Sequence, residues 1–285
     1  MFDDAIQLPR LGVLRLKECG YLPTEEAKIL SATVSERAGR WFVSLQVEMV
    51  LPDPDPTEKP AAGVDLGIKA LVTVSDGMTI ENPRALKSSL RKIKRLQRDL
   101  SRRQKGSANR SKAIQQLAKA HLRVVNMRSN ALHQATSLLT KTKSAVVLED
   151  LNVRGMLRNH SLAQAIADVG WYEFRRQMRY KGGWYGCQVY LADRFYPSTK
   201  RCSGCGNVKA EMGLDDRIYK CDVCGQVMDR DLNAALNLEQ LITASSAGMR
   251  TRCVRDACGE GVSPGNRQFS MKQEPNIDLP LCRFV

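Results

Sequence analysis

Two groups of residues in this sequence have types and spacing suited to chemistry. The first is a set of four cysteines in two Cys-x-x-Cys pairs, with fifteen residues between the pairs: Cys202, Cys205, Cys221 and Cys224. Thiolates at this spacing are typical of a tetrahedral zinc site, and four protein ligands leave no open position for chemistry. Two disulfides or four buried free thiols are the alternatives, and the spacing favours structural zinc.

The second group is three acidic residues on separate predicted elements. Asp65 interrupts an apolar strand, Glu149 ends the apolar run SAVVLEDL at 144–151, and Asp231 opens a helix after the second cysteine pair. A buried charge is costly unless it is paired or binds a metal. Structural alternatives remain open, because Asp65 can lie in a turn at the end of a strand and Asp231 or Asp229 can cap the helix.

Strands with intervening helices can bring the three carboxylates together, because active sites of α/β sheets form where strands end. Hard carboxylate oxygens suit Mg²⁺, which also accepts a substrate phosphate as a ligand. Two such ions about 3.5–4 Å apart activate the attacking water and stabilise the leaving 3′ oxygen. The expected chemistry is metal-dependent phosphodiester hydrolysis.

The positive charge of the chain is concentrated in one segment. Of the 44 Lys and Arg residues, fifteen lie between Arg84 and Arg128, where Asp99 is the one acidic residue, and the rest of the chain carries 29 residues of each sign. A local excess of this size indicates a polyphosphate partner such as nucleic acid. A solvated helix face is the alternative, although such faces normally mix both signs.

The same segment has apolar residues at helical spacing, including Leu86, Leu90 and Ile93, and Gly106 interrupts the pattern. We expect a helical hairpin over residues 84–140 with one apolar seam, in which Ile114 takes part, and one cationic face. Without a base-reading motif, contact should be mainly with the nucleic-acid backbone. The candidate nucleic-acid-binding residues, including three arginines of a later helix, are Arg91, Lys92, Lys94, Arg95, Arg98, Arg102, Arg103, Lys105, Arg110, Arg175, Arg176 and Arg179.

The remaining pattern predicts an α/β protein. Three strands are expected within residues 1–50, a Pro-rich linker at 51–60, a β-hairpin around Asp65, a helix over 162–181 and a strand from Gln188 to Ala192. After the zinc ribbon at 198–228, residues 241–285 lack periodicity and are expected to form a disordered tail. No apolar run is long enough for a membrane span, and the odd number of scattered cysteines suits a reducing compartment. We expect a soluble, cytoplasmic protein associated with the nucleoid and not with a membrane.

Five motifs in one order resemble a known family. GVDLGIKALVTVSDG, VVLEDLNVRGM and CSGC…CDVCGQVMDRDLNAALN are similar to the three RuvC motifs and zinc ribbon of the TnpB (OrfB) proteins. SRRQKGSANRSKAIQQLAKAHLRVVNMR and VGWYEFRRQMRYKGGWYG also resemble that family. The match covers about residues 10–240. TnpB proteins are transposon-encoded, RNA-guided DNA nucleases related to the type V CRISPR effectors.

The resemblance implies an RNase H-like RuvC domain over residues 61–240, with an inserted helical hairpin and zinc ribbon. By position it makes Asp65, Glu149 and Asp231 the catalytic Mg²⁺ ligands and leaves Asp229 as a cap or supporting acid. It also implies structural Zn²⁺, a guide RNA and a DNA target. Residues 1–50 are expected to be the last strands of a wedge β-barrel, so the chain is expected to be shortened at its N-terminus. A catalytically silent nucleic-acid-binding regulator or a remnant of a transposase-family protein is the alternative function.

Overall fold

The computed structural model shows a mixed α/β protein that divides into two compact units, one formed by residues 1–52, 92–123 and 260–285 and the other by 53–91 and 124–259. The structure describes residues 5–17, 27–49, 59–213, 215–245, 252–253 and 271–272. Most of the predicted linker, at 51–58, lies outside the described residues, as does most of the predicted tail.

The first unit contains two small antiparallel sheets. Strands β1 (Ala5–Leu8) and β2 (Gly12–Arg15) form one hairpin, and β3 (Ala27–Arg37) and β4 (Arg40–Met49) form a longer one. Three of these strands were predicted, and β1 was missed. The turn between β3 and β4 uses Ala38 and Gly39, both with positive φ. Among the described residues of these strands, Ile6, Leu8, Leu45 and Val47 are buried together in a small core. That these strands belong to a wedge barrel stays a prediction.

Two helices follow the predicted basic pattern. Helix α1 covers Ala85–Arg102 and helix α2 covers Ala108–Thr142, so the helical interpretation and the break near Gly106 are confirmed. Arg110 links the beginning of α2 to the end of α1, because its Nη1 donates to the carbonyl oxygens of Leu100 and Arg103 at 3.0 and 3.3 Å. The predicted seam is wrong at Ile114, which is 48% exposed while Ala113 is buried instead, and His121, which falls at the same helical spacing, is exposed as well.

The second unit is built on a mixed six-stranded sheet. Its strands are β5 (Ala62–Leu66), β6 (Ala70–Val74), β7 (Thr79–Glu81), β8 (Ala145–Leu148), β9 (Gln188–Leu191) and β12 (Arg252–Cys253). In the sheet they follow the order β12-β9-β8-β5-β6-β7. Strands β5, β8 and β9 run parallel, whereas β6, β7 and β12 pair with their neighbours antiparallel. The three parallel strands are strongly apolar because the middle of such a sheet is buried on both faces.

Helices complete the core of this unit. Helices α3 (Val153–Met156), α4 (Ala163–Val169) and α5 (Trp171–Tyr185) follow β8, and α6 (Arg230–Ser245) follows the cysteine-rich segment. The single helix predicted over 162–181 is two helices, because Gly170 adopts a left-handed φ of 77° and ends α4. Phe174 and Met178 of α5 are fully buried and pack with Val146 and Leu148 of the sheet.

The cysteine-rich segment contains a third small sheet of β10 (Ile218–Lys220) and β11 (Val227–Asp229). Beyond α6 the structure describes two strands where no secondary structure was predicted. Strand β12 pairs with β9, and β13 (Met271–Lys272) pairs with β4. Within the described residues, no helix is both long and apolar enough to cross a membrane.

Candidate functional site

The strand register brings two of the three predicted carboxylates to the same level of the sheet. Strands β5 and β8 are parallel neighbours, and their last paired residues are Val64 and Leu148. The next residue of each chain segment is Asp65 and Glu149 respectively. Adjacent strands lie about 4.8 Å apart, and residues at equal register point to the same face. The two acids therefore lie side by side at the carboxyl ends of the strands.

Helix α6 covers this face of the sheet at unusually short range. A Cβ added at Gly63 would lie 1.9 Å from the carbonyl oxygen of Ala235 and 2.4 Å from the backbone nitrogen of Glu239. Gly63 is therefore required so that the backbone of α6 can approach β5. On the same face, Val147 packs against Leu238 and Leu241 of α6. This packing holds α6 against the two strands that position Asp65 and Glu149.

The third carboxylate comes from the beginning of α6. Asp229 caps the helix, because its Oδ1 accepts from the backbone N–H groups of Asp231 and Leu232 at 2.9 and 3.1 Å. The expectation that Asp229 is a cap is confirmed. Capping by Asp229 leaves the side chain of Asp231 available, and it accepts from the guanidinium of Arg230 at 3.1 Å. Arg230 was not singled out from the sequence.

The three carboxylates are near enough for their charges to act on one another. The pKa of Asp65 is raised well above its usual value, first by burial and then by the charges of Glu149 and Asp231, while Arg230 acts in the opposite direction. Burial also raises the pKa of Glu149, against a hydrogen bond from Ser198 and with a further increase from Asp231. The cluster is thus an electron-rich group of oxygens that a nearby cation would stabilise.

These oxygens are suitable ligands for Mg²⁺. Asp65 is 7% exposed and its neighbours are acids, so the site has both the hard donors and the unbalanced negative charge that a divalent cation requires. In this structure the carboxylates of Glu149 and Asp231 are bonded to Ser198 and Arg230. Among the described residues, the cysteines form the one cluster whose ligand atoms are already close enough together to hold a metal ion.

The four predicted zinc ligands do converge. All four Sγ atoms lie within 4.8 Å of one another. The Sγ atoms of Cys202 and Cys224 are 3.6 Å apart, and those of Cys205 and Cys221 are 3.5 Å apart. A zinc ion with Zn–S bonds of about 2.3 Å places its sulfurs about 3.8 Å apart. All four cysteines are free thiols, which excludes the disulfide alternative. The cluster can therefore hold a metal such as zinc.

The local backbone prepares the thiols for a metal. Gly206 and Gly225 adopt φ values of 76° and 73°, which lets the N–H of each bond back to Cys202 and Cys221 in the two turns. Hydrogen bonds from the backbone of Cys224 and Val223 lower the pKa of the Cys221 thiol to about 6, whereas the pKa of the Cys224 thiol is raised to about 12 beside the other sulfurs, so Cys221 is the thiol that ionises first. A thiolate is the form that binds metals.

A group of buried amides attaches this cysteine-rich segment to α6. Asn233 and Asn237 are fully buried, and both donate to the carbonyl oxygen of Arg201, at 2.7 and 2.6 Å. Asn237 also donates to the carbonyl oxygen of Ser198 at 2.8 Å, and the hydroxyl of Ser198 donates to Glu149. These contacts connect the start of the cysteine-rich segment to both α6 and Glu149. Sequence reasoning missed Ser198, Asn233 and Asn237, because their partners are distant in the chain.

The predicted nucleic-acid-binding residues of the helical hairpin are mostly exposed. Eight of the nine have exposed side chains, and Arg110 is half-buried in the contact already described: Arg91, Lys92, Lys94, Arg95, Arg98, Arg102, Arg103 and Lys105. Arg103 forms an ion pair with Asp99 at 3.0 Å, so the single acid of the segment neutralises one of its cations. Lys94, Gln97, Arg98 and Ser101 line a shallow surface depression on α1.

The three arginines predicted on the later helix have different surroundings. Arg175 forms an ion pair with Asp150 at 2.8 Å, beside Glu149. Arg176 pairs with Glu173 at 2.7 Å, and Arg179 is half-buried. Arg175 is therefore the one of the three that belongs to the surroundings of the carboxylates.

Comparisons with known proteins give the family of this chain. A family model described as "Probable transposase" (OrfB) matches residues 32–160, and one described as "Cas12f1-like, TNB domain" matches residues 171–238. A protein of Escherichia coli K12 named putative RNA-guided DNA endonuclease InsQ is 33% identical over 96% of this chain and 67% of its own length. The chain belongs to the TnpB (OrfB) family.

Two further similarities describe how this TnpB family member relates to others. A putative RNA-guided DNA endonuclease of Streptomyces pristinaespiralis is 42% identical, and the alignment covers 88% of this chain and 61% of that protein. This chain therefore spans less than two thirds of that relative. Among solved structures, the Cas12f1 chain of a complex with sgRNA and target DNA is similar over 72% of this chain and 55% of its own, with 16% identity and a TM-score of 0.47.

Proposed function

We propose that this chain is the nuclease portion of an RNA-guided DNA endonuclease, with a RuvC-like active site in an RNase H-like domain. The observation that supports it most strongly is the convergence of Asp65, Glu149 and Asp231 at the ends of two parallel strands and the start of α6. Relatives named as putative RNA-guided DNA endonucleases support DNA as the substrate and RNA as the guide.

In this proposal the three carboxylates hold Mg²⁺. Bound Mg²⁺ supplies Lewis-acid activation of water and of the scissile phosphate. Ser198 orients Glu149 through its hydroxyl, and Arg230 balances part of the negative charge until a cation arrives. The short contact at Gly63 keeps Asp231 at a fixed distance from Asp65, which matters because small misplacements of reacting groups are costly.

The cysteine cluster has a structural role in this proposal. Four sulfur ligands close the coordination of Zn²⁺, so the ion stabilises the fold without taking part in cleavage. The cationic residues of α1 and its connection to α2 bind phosphates of the guide or target strand and provide affinity without reading sequence.

The test is cleavage of end-labelled DNA by the purified chain with its co-purified RNA and Mg²⁺. We expect cleavage by the unmodified chain, none by Asp65→Asn, and unchanged cleavage by Asp215→Asn, which alters an exposed aspartate of the cysteine-rich segment. Equal cleavage by Asp65→Asn would refute the proposed active site. Digesting the RNA beforehand tests guidance separately.

A catalytically silent nucleic-acid-binding protein is the second candidate, because the exposed cations of α1 do not depend on the carboxylates for binding. It predicts that the chain shifts labelled DNA in a gel and leaves it intact at every Mg²⁺ concentration.

A further inference from the structure

A cavity of about 260 Å³ opens directly beside Glu149. It lies between the end of β8, the start of α5 and the loop after β9. The residues of its wall that matter here are Glu149, Asp150, Trp171, Tyr172, Arg175 and Arg194. Ligand sites for whole drug-sized molecules have about 300–1,000 Å³, so this cavity is of a size for a smaller unit such as one nucleotide.

Two arginines in the wall of the cavity share one carboxylate, that of Asp150, so positive charge is in excess at this point. Arg175 donates to one carboxylate oxygen of Asp150 at 2.8 Å, and Arg194 donates to the other at 2.9 Å. The arginine side chains are 37% and 50% exposed. Exposed ion pairs contribute little to stability, so a second anion can compete for the remaining guanidinium N–H groups at low cost. A phosphate fits this role, because guanidinium binds it in a bidentate way.

The same wall contains an aromatic ring that the fold does not bury. Tyr172 is 67% exposed at the first turn of α5, whereas the neighbouring Trp171 is 4% exposed. An exposed ring next to cations is the combination that binds single-stranded nucleic acid, by stacking a base and pairing its phosphate.

We propose that this cavity is the subsite for the nucleotide adjacent to the scissile phosphate of a single-stranded DNA segment. Tyr172 stacks on the base, while Arg194 and Arg175 bind the phosphate. The inference rests on the proposed function for the role of Glu149, since the carboxylate that holds the metal forms part of the cavity wall. The strand must be single, because a base in a duplex has both faces covered and must leave the stack to reach a protein ring.

Stacking can be tested without cleavage. The full chain, zinc-loaded and without Mg²⁺, is titrated into single-stranded oligonucleotides that carry 2-aminopurine at one scanned position each. We expect quenching at a narrow set of positions, loss of that quenching in Tyr172→Ala and retention in Tyr172→Phe. Stacking is worth about 1–3 kcal/mol per base, so Tyr172→Ala should weaken binding by roughly 5- to 150-fold. Trp41→Ala, which removes another highly exposed aromatic ring, is the control and should not change the quenching.

The interaction with phosphate has its own signature. When a protein that binds a single strand neutralises one phosphate fewer, the slope of log K against log salt concentration becomes shallower by about 0.7. Arg194→Gln should reduce the slope by that amount, Arg194→Lys should preserve it, and Lys220→Gln on the cysteine-rich segment is the matched control. An RNA oligonucleotide of the same sequence shows whether the subsite discriminates between the two sugars.

Cleavage links the subsite to the reaction. An abasic nucleotide at one position beside the cut should lower the cleavage rate of the unmodified chain. It should not lower the cleavage rate of Tyr172→Ala any further, because both changes remove the same interaction. Position-specific quenching without cleavage would leave the subsite standing and overturn the proposed function. Cleavage that is unaffected by Tyr172→Ala, with quenching equal to that of the unmodified chain, would overturn the subsite alone.

Discussion

Replacing Gly63 by alanine tests how the active site is held together. The added Cβ would lie 1.9 Å from the carbonyl oxygen of Ala235, and non-bonded carbon and oxygen normally stay more than about 3 Å apart. The neighbouring atom is backbone of α6, so no side chain can rotate away. The helix must therefore move from β5 by about 1 Å or more at this point, and Asp231 lies one turn earlier on the same helix.

Two consequences follow for Gly63→Ala. Overpacking of a tight core costs about 1–3 kcal/mol, which lowers the melting temperature by roughly 2–12 °C in a protein of this size. Misplacing a catalytic group by about 1 Å costs about a hundredfold in rate, so cleavage should fall by that factor even where the protein remains folded. Thermal unfolding of the zinc-loaded chain and single-turnover cleavage at low temperature measure the two effects separately.

Gly213→Ala is the matched control. Its added Cβ would lie 3.0 Å from the carboxylate of Asp216, an exposed side chain that can move, so stability and cleavage should both stay near those of the unmodified chain. If Gly63→Ala had the same melting temperature, Mg²⁺ affinity and cleavage rate as this control, the inferred close packing of α6 on β5 would be wrong.

Other perturbations address separate parts of the site. Burial and the charge of Glu149 raise the folded-state pKa of Asp65. The metal-free protein should therefore lose stability as pH rises from about 4 through that pKa. Denaturant titrations across pH measure this loss, and Asp65→Asn should reduce it. Asn237→Ala removes the hydrogen bonds that the amide donates to the carbonyl oxygens of Ser198 and Arg201, and it should lower the free energy of unfolding by about 1–3 kcal/mol. Asn237→Asp should give no rescue, because a carboxylate has no N–H to donate. An unchanged unfolding curve would show that these bonds do not stabilise the fold. Lys94→Glu with Arg98→Glu should weaken DNA binding and flatten its salt dependence, whereas the same change at Lys220 should not.

Much of the site was accessible from the sequence because its residues break local patterns. Asp65 and Glu149 lie in or directly after apolar strands, where a charge needs a partner. The parallel pairing of those strands places the two acids at the same register. The cysteine pairs are distinctive in their spacing, and their sulfurs converge. In each case the candidate residues stand out within a short segment, although distant segments must meet to bring the carboxylates together.

Other parts depend on interactions between distant segments and give little local signal. Ser198 and Asn237 are ordinary polar residues until the fold places them beside Glu149 and Arg201. Lys181 stands at the basic end of a predicted helix, yet it is 4% exposed and donates to Ser137 and to the backbone of His133. The break at Gly170 was also missed, because one glycine in a helical pattern does not show whether its φ is positive.

The most direct test of the proposed active site is an anomalous difference map from crystals of the full chain soaked in Mn²⁺, which replaces Mg²⁺ at oxygen sites. The proposal predicts density bound by the carboxylates of Asp65, Glu149 and Asp231, with ligand distances of about 2.0–2.3 Å, and its loss in Asp65→Asn crystals. Carboxylates that remain bonded to Ser198 and Arg230, with no manganese between them at saturating concentration, would contradict it.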